Sequence, residues 1–135
     1  MSSTNTTEAG RQFPRTPRSA PRARAFLRER LTAWGITGEA VCTAELLLSE
    51  LVSNAVRHAP VPPGREIGVR LALDDGILRL EVADTDDRRP EPRPAEADAE
   101  DGRGLAIVSA LAEGWGWVPR AHGIGKTVWA ELKIR

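Results

Sequence analysis

The chain has 135 residues, of which 41% are hydrophobic, and this is enough to fill the core of a single domain. Its 19 basic and 19 acidic residues balance, so no overall field recruits nucleic acid or a membrane surface. A single cysteine excludes an internal disulfide, and the lack of a long apolar run excludes a signal peptide or membrane span, which together predict a cytoplasmic protein.

The N-terminal region predicts a tail followed by a helix. Residues 1–12 are rich in Ser, Thr, Asn and Gly and have little to bury, so we expect a disordered tail before a domain over residues 13–135. From Pro21 to Trp34, apolar residues recur among arginines, which predicts a helix that Gly35 ends. The arginines lack interleaved aromatic residues, so they favour a solvated face or a protein interface over a nucleic-acid arm.

A second helix is predicted from about Gly38 to about Ala59, where Pro60 stops it. Its apolar positions recur at helical spacing and form one stripe that must lie on a core: Ala40, Val41, Ala44, Leu47, Leu48, Leu51, Val52 and Ala55. We expect Cys42 on the apolar side of this helix, as a buried small hydrophobe and not as a reactive thiol.

Alternating residues predict two strands, Ile67 to Leu73 and Ile77 to Ala83, joined by an Asp-Asp-Gly turn into a hairpin. The segment that follows is rich in proline and acid and fits no regular element, so residues from about 85 to 101 are interpreted as a flexible lid.

A short helix opened by glycines follows, then a strand from Trp115 to Val118 and a last strand from Lys126 to Ile134. Three helices and four strands predict an α+β fold, a two-layer α/β sandwich with a mixed, mostly antiparallel sheet and helices on one face.

The triplet Gly125-Lys126-Thr127 poses the question of a P-loop. Such a loop needs another glycine five residues before Gly125, a strand ahead of it and a helix behind it. Arg120 occupies that position, and the residues after the triplet alternate as in a strand. The triplet is therefore not a P-loop.

Glu50 and Asn54 are four residues apart on the second helix, so their side chains lie on one face and can converge on a ligand. A solvated helix edge is the alternative interpretation. His58 follows on the same flank, where a structural hydrogen bond and a role beside Glu50 are both open.

Asp84 ends the second strand of the hairpin, at the usual rim of a ligand pocket, although a turn-forming aspartate would occupy the same place. Gly102 and Gly104 precede a helix, where backbone N–H groups and the helix dipole can hold phosphate. A glycine hinge at a loop end is the alternative there.

In this order the motifs resemble the GHKL ATPases, which include histidine-kinase catalytic domains, and among them the bacterial anti-sigma-factor serine/threonine kinases. The resemblance runs from about Phe13 to Leu132. The stretch LLLSELVSNAVRHA is similar to the N box of that family, VADTDD to its first glycine box, GRGLAIV to its second, and GKTVWAEL to its final strand.

This resemblance implies that the protein binds ATP with Mg²⁺. It implies Asn54 as the Mg²⁺ ligand, Glu50 as the general base and Asp84 as the acceptor for the adenine amino group. The other implied contacts serve the phosphates or support the adenine pocket: Arg57 and the loop Gly102, Arg103, Gly104 and Leu105 for phosphate, and Thr127 for the adenine pocket.

The implied function is a kinase that sequesters a sigma factor and phosphorylates a serine or threonine of an antagonist protein. Where the family has Asp-x-Gly, however, this sequence has Asp86 as the third residue, followed by Asp87. That change favours the alternative, a non-catalytic module that regulates by binding a partner, with or without nucleotide. A histidine-kinase fragment is disfavoured, because no room remains for a phosphoacceptor helix pair. Family members commonly form homodimers, and Leu46 is one residue that such an interface could use.

Overall fold

The computed structural model describes residues 7–57, 66–84, 106–120 and 125–134. The elements in chain order are β1 (Thr7–Pro14), α1 (Ser19–Ala33), α2 (Glu39–Arg57), β2 (Glu66–Asp74), β3 (Ile77–Asp84), β4 (Gly114–Pro119) and β5 (Lys126–Lys133). Residues 106–111 are also helical, as predicted for the segment after the glycines. The predicted lid at about 85–101, the phosphate loop at 102–105 and His58 lie outside the described residues.

The strands form one five-stranded sheet in the order β1-β2-β3-β5-β4, and each neighbouring pair is antiparallel. The predicted hairpin of β2 and β3 is confirmed. Its two turn residues, Asp75 and Gly76, both have positive φ, at 53° and 80°. Positive φ at both positions is the geometry of a type I′ turn, whose twist matches that of the two strands. The α+β class with a two-layer arrangement is therefore confirmed, with five strands where four were predicted.

The N-terminal tail predicted over residues 1–12 is wrong for residues 7–12, which belong to β1. This strand pairs with β2 along its whole length, and its Phe13 lies opposite Ile67. The Phe13 ring packs edge-on against Phe26 of α1, with the ring centroids 6.2 Å apart. Phe13 is the one buried residue of β1, which lies at the edge of the sheet. The apolar and polar residues of this strand alternate too weakly for the sequence to predict it.

The helices cover one face of the sheet. α2 packs on β3 and β5, while α1 packs on α2 and β1. Between these layers lies a continuous core to which the predicted stripe of α2 contributes Ala44, Leu47, Leu48, Leu51, Val52 and Ala55. Two polar contacts align the helices with each other: Arg28 forms an ion pair with Glu45 at 3.3 Å, and Arg24 donates a hydrogen bond to the Ser49 hydroxyl at 3.0 Å.

The expectation that Cys42 is buried is wrong, because its side chain is exposed. At about 100° per residue, Cys42 lies about 160° around the helix from the buried Ala44. Leu46, four residues later on the same outer side, is 41% exposed. The assignment failed because one small apolar residue close to a stripe in sequence need not lie on its face.

The opposite face of the sheet carries ion pairs and one aromatic stack. Arg79 donates hydrogen bonds to Glu81 at 2.7 Å and to Glu131 at 2.9 Å, and its guanidinium lies 4.3 Å from the centroid of the Trp129 ring. Burial lowers the pKa of Arg79, but the hydrogen bonds with Glu81 and Glu131 outweigh this and raise it overall. The same indole covers Gly116, where a Cβ atom would lie only 3.0 Å from the ring. The outer face of the sheet is therefore polar, and the hydrophobic core lies on the other face, under the helices.

Within the part of the chain that the structure describes, no helix has both the length and the apolar character needed to cross a bilayer.

Replacing a core leucine of α2 should cost far more stability than replacing an exposed one. Leu48 is fully buried, so Leu48→Ala should lower the free energy of unfolding by about 2–5 kcal/mol, through lost burial and the cavity left behind. The matched control is Leu46→Ala, on the outer side of the same helix, for which a change within about 0.5 kcal/mol is expected. Urea unfolding followed by circular dichroism measures both, and equal losses would contradict the assigned helix face.

Candidate functional site

The helix α2 brings two of the predicted site residues to one flank. Glu50 is half-buried, and Asn54, one turn later, is buried with 8% of its surface exposed. A solvated helix edge therefore does not describe Asn54, whose amide faces the protein. Arg57 is the last residue of α2, and its side chain lies outside the described part of the structure. The backbone alone places it three residues beyond Asn54, on the next turn of the same helix.

Asp84 is the last residue of β3, as predicted, and its side chain is fully buried. A turn-forming aspartate would instead hydrogen-bond near its own backbone at an exposed position. Along β3 the buried side chains alternate with half-buried ones, so Asp84 lies on the same face as Leu80 and Val82. The carboxylate therefore faces the helix layer, at the end of the sheet where the chain leaves β3.

Lys126 is the residue that the structure places beside this carboxylate. It is the first residue of β5, lies directly opposite Asp84 in the β3–β5 ladder, and is 5% exposed. Its Nζ atom lies 3.3 Å from Oδ1 of Asp84. Sequence reasoning did not select this lysine as a site residue. The Gly-Lys-Thr triplet thus opens a strand, in agreement with the exclusion of a P-loop, and its lysine binds a carboxylate of the protein.

Thr127, which the family resemblance assigned to the adenine pocket, does not share the face of Asp84. It lies opposite Ala83 in the ladder, and it lines an open groove on the outer face of the sheet together with Gly68 and Arg70. Since side chains alternate along a strand, a shift of one residue moves a side chain to the other face. The inward position next to Asp84 is therefore that of Lys126.

A signal in the sequence could have identified Lys126. Besides Lys126, the buried residues of β5 are Val128, Ala130 and Leu132, which are small or aliphatic residues at alternate positions. Counting back by two from Val128 reaches Lys126 and passes over Thr127. The hydrophobic alternation of the strand thus carried the correct register.

Both side chains of the Asp84–Lys126 pair are shielded from water, unlike those of the ion pairs on the outer face. Side chains in the outer pair Arg79–Glu131 are 31% and 35% exposed, whereas those of Lys126 and Asp84 are 6% and 1% exposed. Removing two charges from water costs several kcal/mol per ion, and close mutual attraction offsets that cost. Each charge therefore depends on the other.

No cluster of three or more His, Cys, Asp or Glu side chains suited to a metal ion occurs among the described residues. In this part of the chain the candidate site consists of a half-buried carboxylate and a buried amide on α2, with a buried carboxylate and ammonium at the end of the sheet.

Breaking the buried pair should destabilise the protein more than breaking an outer pair. Asp84→Asn keeps the shape of the side chain but removes the charge, so Lys126 is left buried without its counter-charge; we expect a loss of about 3 kcal/mol in the free energy of unfolding. Glu131→Gln removes one partner of a half-exposed pair and should cost at most about 1 kcal/mol. Denaturant unfolding of both variants tests this. A smaller loss for Asp84→Asn than for Glu131→Gln would contradict the buried pairing.

Comparisons with known proteins identify the family and agree with the fold. A family model described as histidine kinase-like ATPase domain matches residues 13–131. No curated protein matches the sequence. Among solved structures, the chain is similar to the RsbU and RsbW domains of Rv1364c from Mycobacterium tuberculosis, with 26% identity and a TM-score of 0.72 over 95% of this chain. The match spans 32% of that longer chain. Because the family model covers most of the sequence and the fold agrees, the chain belongs to the histidine kinase-like ATPase domain family.

Proposed function

We propose that the protein binds Mg·ATP on the helix side of the sheet, with the adenine amino group at Asp84. The observation that carries this proposal is the position of that carboxylate: it is buried, ends β3 and faces the helix layer. A carboxylate is rarely fully buried unless it is paired, and here Lys126 supplies the counter-charge. A carboxylate held in this way can accept a hydrogen bond from a ligand as well. Membership of a family of ATPase domains supports a nucleotide as the ligand.

The residues of α2 suit a magnesium ion bound with the nucleotide. Mg²⁺ prefers oxygen ligands and keeps several waters and phosphate oxygens, so it needs only one or two groups from the protein. Asn54 supplies a buried amide oxygen on the helix flank, and no larger protein cage is required. When bound, the ion neutralises charge on the triphosphate. Arg57 and the loop from Gly102 through Arg103 and Gly104 to Leu105 are the proposed phosphate contacts.

The proposed reaction is transfer of the γ-phosphoryl group to a serine or threonine of an antagonist protein. The hydroxyl oxygen of the acceptor attacks the γ-phosphorus, the bond from that phosphorus to the bridging oxygen of ADP breaks, and the hydroxyl proton passes to the carboxylate of Glu50. Glu50 lies one turn before Asn54 and is half-buried, so it faces the flank on which the phosphates are proposed to lie. In this role it acts as general base.

A sigma factor and an antagonist protein are the proposed partners, as in the anti-sigma-factor kinases that the sequence resembles. The similarity to a solved structure that contains an RsbW domain together with an RsbU domain supports a regulatory role of this kind. Between residues 11 and 30 the chain has seven arginines and one acidic residue, although its overall charge is zero. Arg18 and Arg22 are exposed there. This surface suits an acidic protein partner.

A second candidate function is a partner-binding module without phosphotransfer. It is favoured by Asp86, which stands in the sequence where the family has a glycine beside the adenine, and by Asp87 after it, because both add negative charge near an anionic ligand. This module acts with or without nucleotide, so the two candidates differ in whether the protein transfers a phosphoryl group and in whether Glu50 matters for that transfer.

Titration of the purified protein with Mg·ATP tests the nucleotide site. Binding should change the fluorescence of the four tryptophans or release heat, should require Mg²⁺, and should be lost in Asp84→Asn because the amino group loses its charged acceptor. Glu131→Gln, on the outer face, should bind as the parent protein does. Circular dichroism establishes that each variant is folded. Absence of binding by the folded parent protein would favour the partner-binding module.

The role of Glu50 is tested by separating binding from transfer. Glu50→Gln should bind Mg·ATP with unchanged affinity but transfer the γ-phosphoryl group to the antagonist protein at least about 100-fold more slowly, since it cannot accept the hydroxyl proton. Glu45→Gln is the control on the same helix, because Glu45 pairs with Arg28 and faces α1. Transfer is followed with γ-labelled ATP. An unchanged rate in Glu50→Gln would remove this residue from the role of base.

A further inference from the structure

The pair formed by Asp84 and Lys126 presents two opposite hydrogen-bonding groups side by side. Asp84 offers a carboxylate, which only accepts, and Lys126 offers an ammonium, which only donates. The two groups lie on the same face of the sheet, on directly opposed residues, with Nζ 3.3 Å from Oδ1. A carboxylate accepts up to about four hydrogen bonds and an ammonium donates three, so each group can bind its partner and a ligand at the same time.

We infer that Lys126 is a specificity-determining residue for the nucleotide base, donating a hydrogen bond to N1 of adenine while Asp84 accepts one from the N6 amino group. This inference rests on the proposed binding of ATP at Asp84. The Watson–Crick edge of adenine carries a donor, N6, next to an acceptor, N1. The protein carries an acceptor next to a donor, so the two edges match at both points.

The same arrangement rejects guanine. In guanine, position 6 is a carbonyl oxygen and N1 carries a proton, so acceptor meets acceptor at Asp84 and donor meets donor at Lys126. Turning the base over would restore the match but would reverse the direction of the ribose, whose phosphates are directed to α2 in the proposed site. A site built to hydrogen-bond one edge rejects an analogue with unpaired groups far more strongly than an apolar pocket does.

A purely structural role accounts poorly for the lysine. Buried ion pairs are weak contributors to stability, and apolar residues of similar volume often replace them without loss. Val128, Ala130 and Leu132 show that aliphatic side chains fill the other inward positions of β5. A buried lysine at the first of these positions, opposite the carboxylate assigned to the adenine, is better explained by a ligand that uses both charges.

The test uses 1-deaza-ATP, in which a C–H group replaces N1 and the amino group remains. The parent protein should bind ATP roughly 10- to 100-fold more tightly than 1-deaza-ATP, as expected for one hydrogen bond from a charged donor. Lys126→Met should bind both nucleotides with the same weak affinity, because the donor is gone. Lys126→Arg retains a donor and should keep a preference for ATP. Calorimetric titration measures all three proteins, with circular dichroism as the check on folding.

The comparison within the parent protein needs no variant, so it stands even where Lys126→Met does not fold. Equal affinity of the parent protein for ATP and 1-deaza-ATP would overturn the inference and leave the proposed ATP site intact. A preference that persists in folded Lys126→Met would also overturn it, since another group would then contact N1. Failure of the parent protein to bind ATP at all would overturn the proposed function and the inference with it.

Discussion

The antiparallel register between β3 and β5 is the constraint on which the rest of the structure depends. These strands are not consecutive in the chain, yet they lie side by side in the middle of the sheet. Their register places Leu80 opposite Ala130 and Val82 opposite Val128, and these inward residues form the floor of the core under α2. The next inward pair is Asp84 with Lys126. One ladder therefore continues from an apolar core into a charged site without a change of geometry.

The helix α2 divides its surface between stability and the proposed chemistry. The apolar stripe of α2 packs on the sheet, and its outer side exposes Cys42 and Leu46. The flank between the stripe and the outer side carries Glu50 and Asn54. The flank is held in place by the stripe, because a helix packed in the core cannot rotate without exposing it. Ligand groups on such an element are positioned more precisely than on a loop. The proposed Mg²⁺ ligand and general base thus gain their orientation from the leucines that pack α2 on the sheet.

The ion pairs on the two faces of the sheet differ in their exposure to solvent. On the outer face, arginines and glutamates pair in contact with solvent, and Arg79 also stacks on Trp129. On the inner face the described charges include one pair, at the end of the sheet, which is nearly closed to water. Electrostatic interactions are stronger where water is excluded. A ligand therefore forms stronger hydrogen bonds with the inner pair than with the ion pairs of the outer surface. This contrast favours the inner face for the proposed nucleotide.

The sequence by itself determined the helix α2, the hairpin of β2 and β3, the α+β class and the family, because these follow from local periodicity, turn chemistry and ordered motifs. It also placed Asp84 at the end of a strand, because the alternation of β3 is a local feature of the sequence. The outward side of Cys42 and the inward side of Lys126 follow from the periodicity of α2 and β5. The tertiary structure alone decided that residues 7–14 form an edge strand and that Lys126 lies beside Asp84. Both of these depend on pairing between distant segments, and residues far apart in the chain do not record such contacts locally.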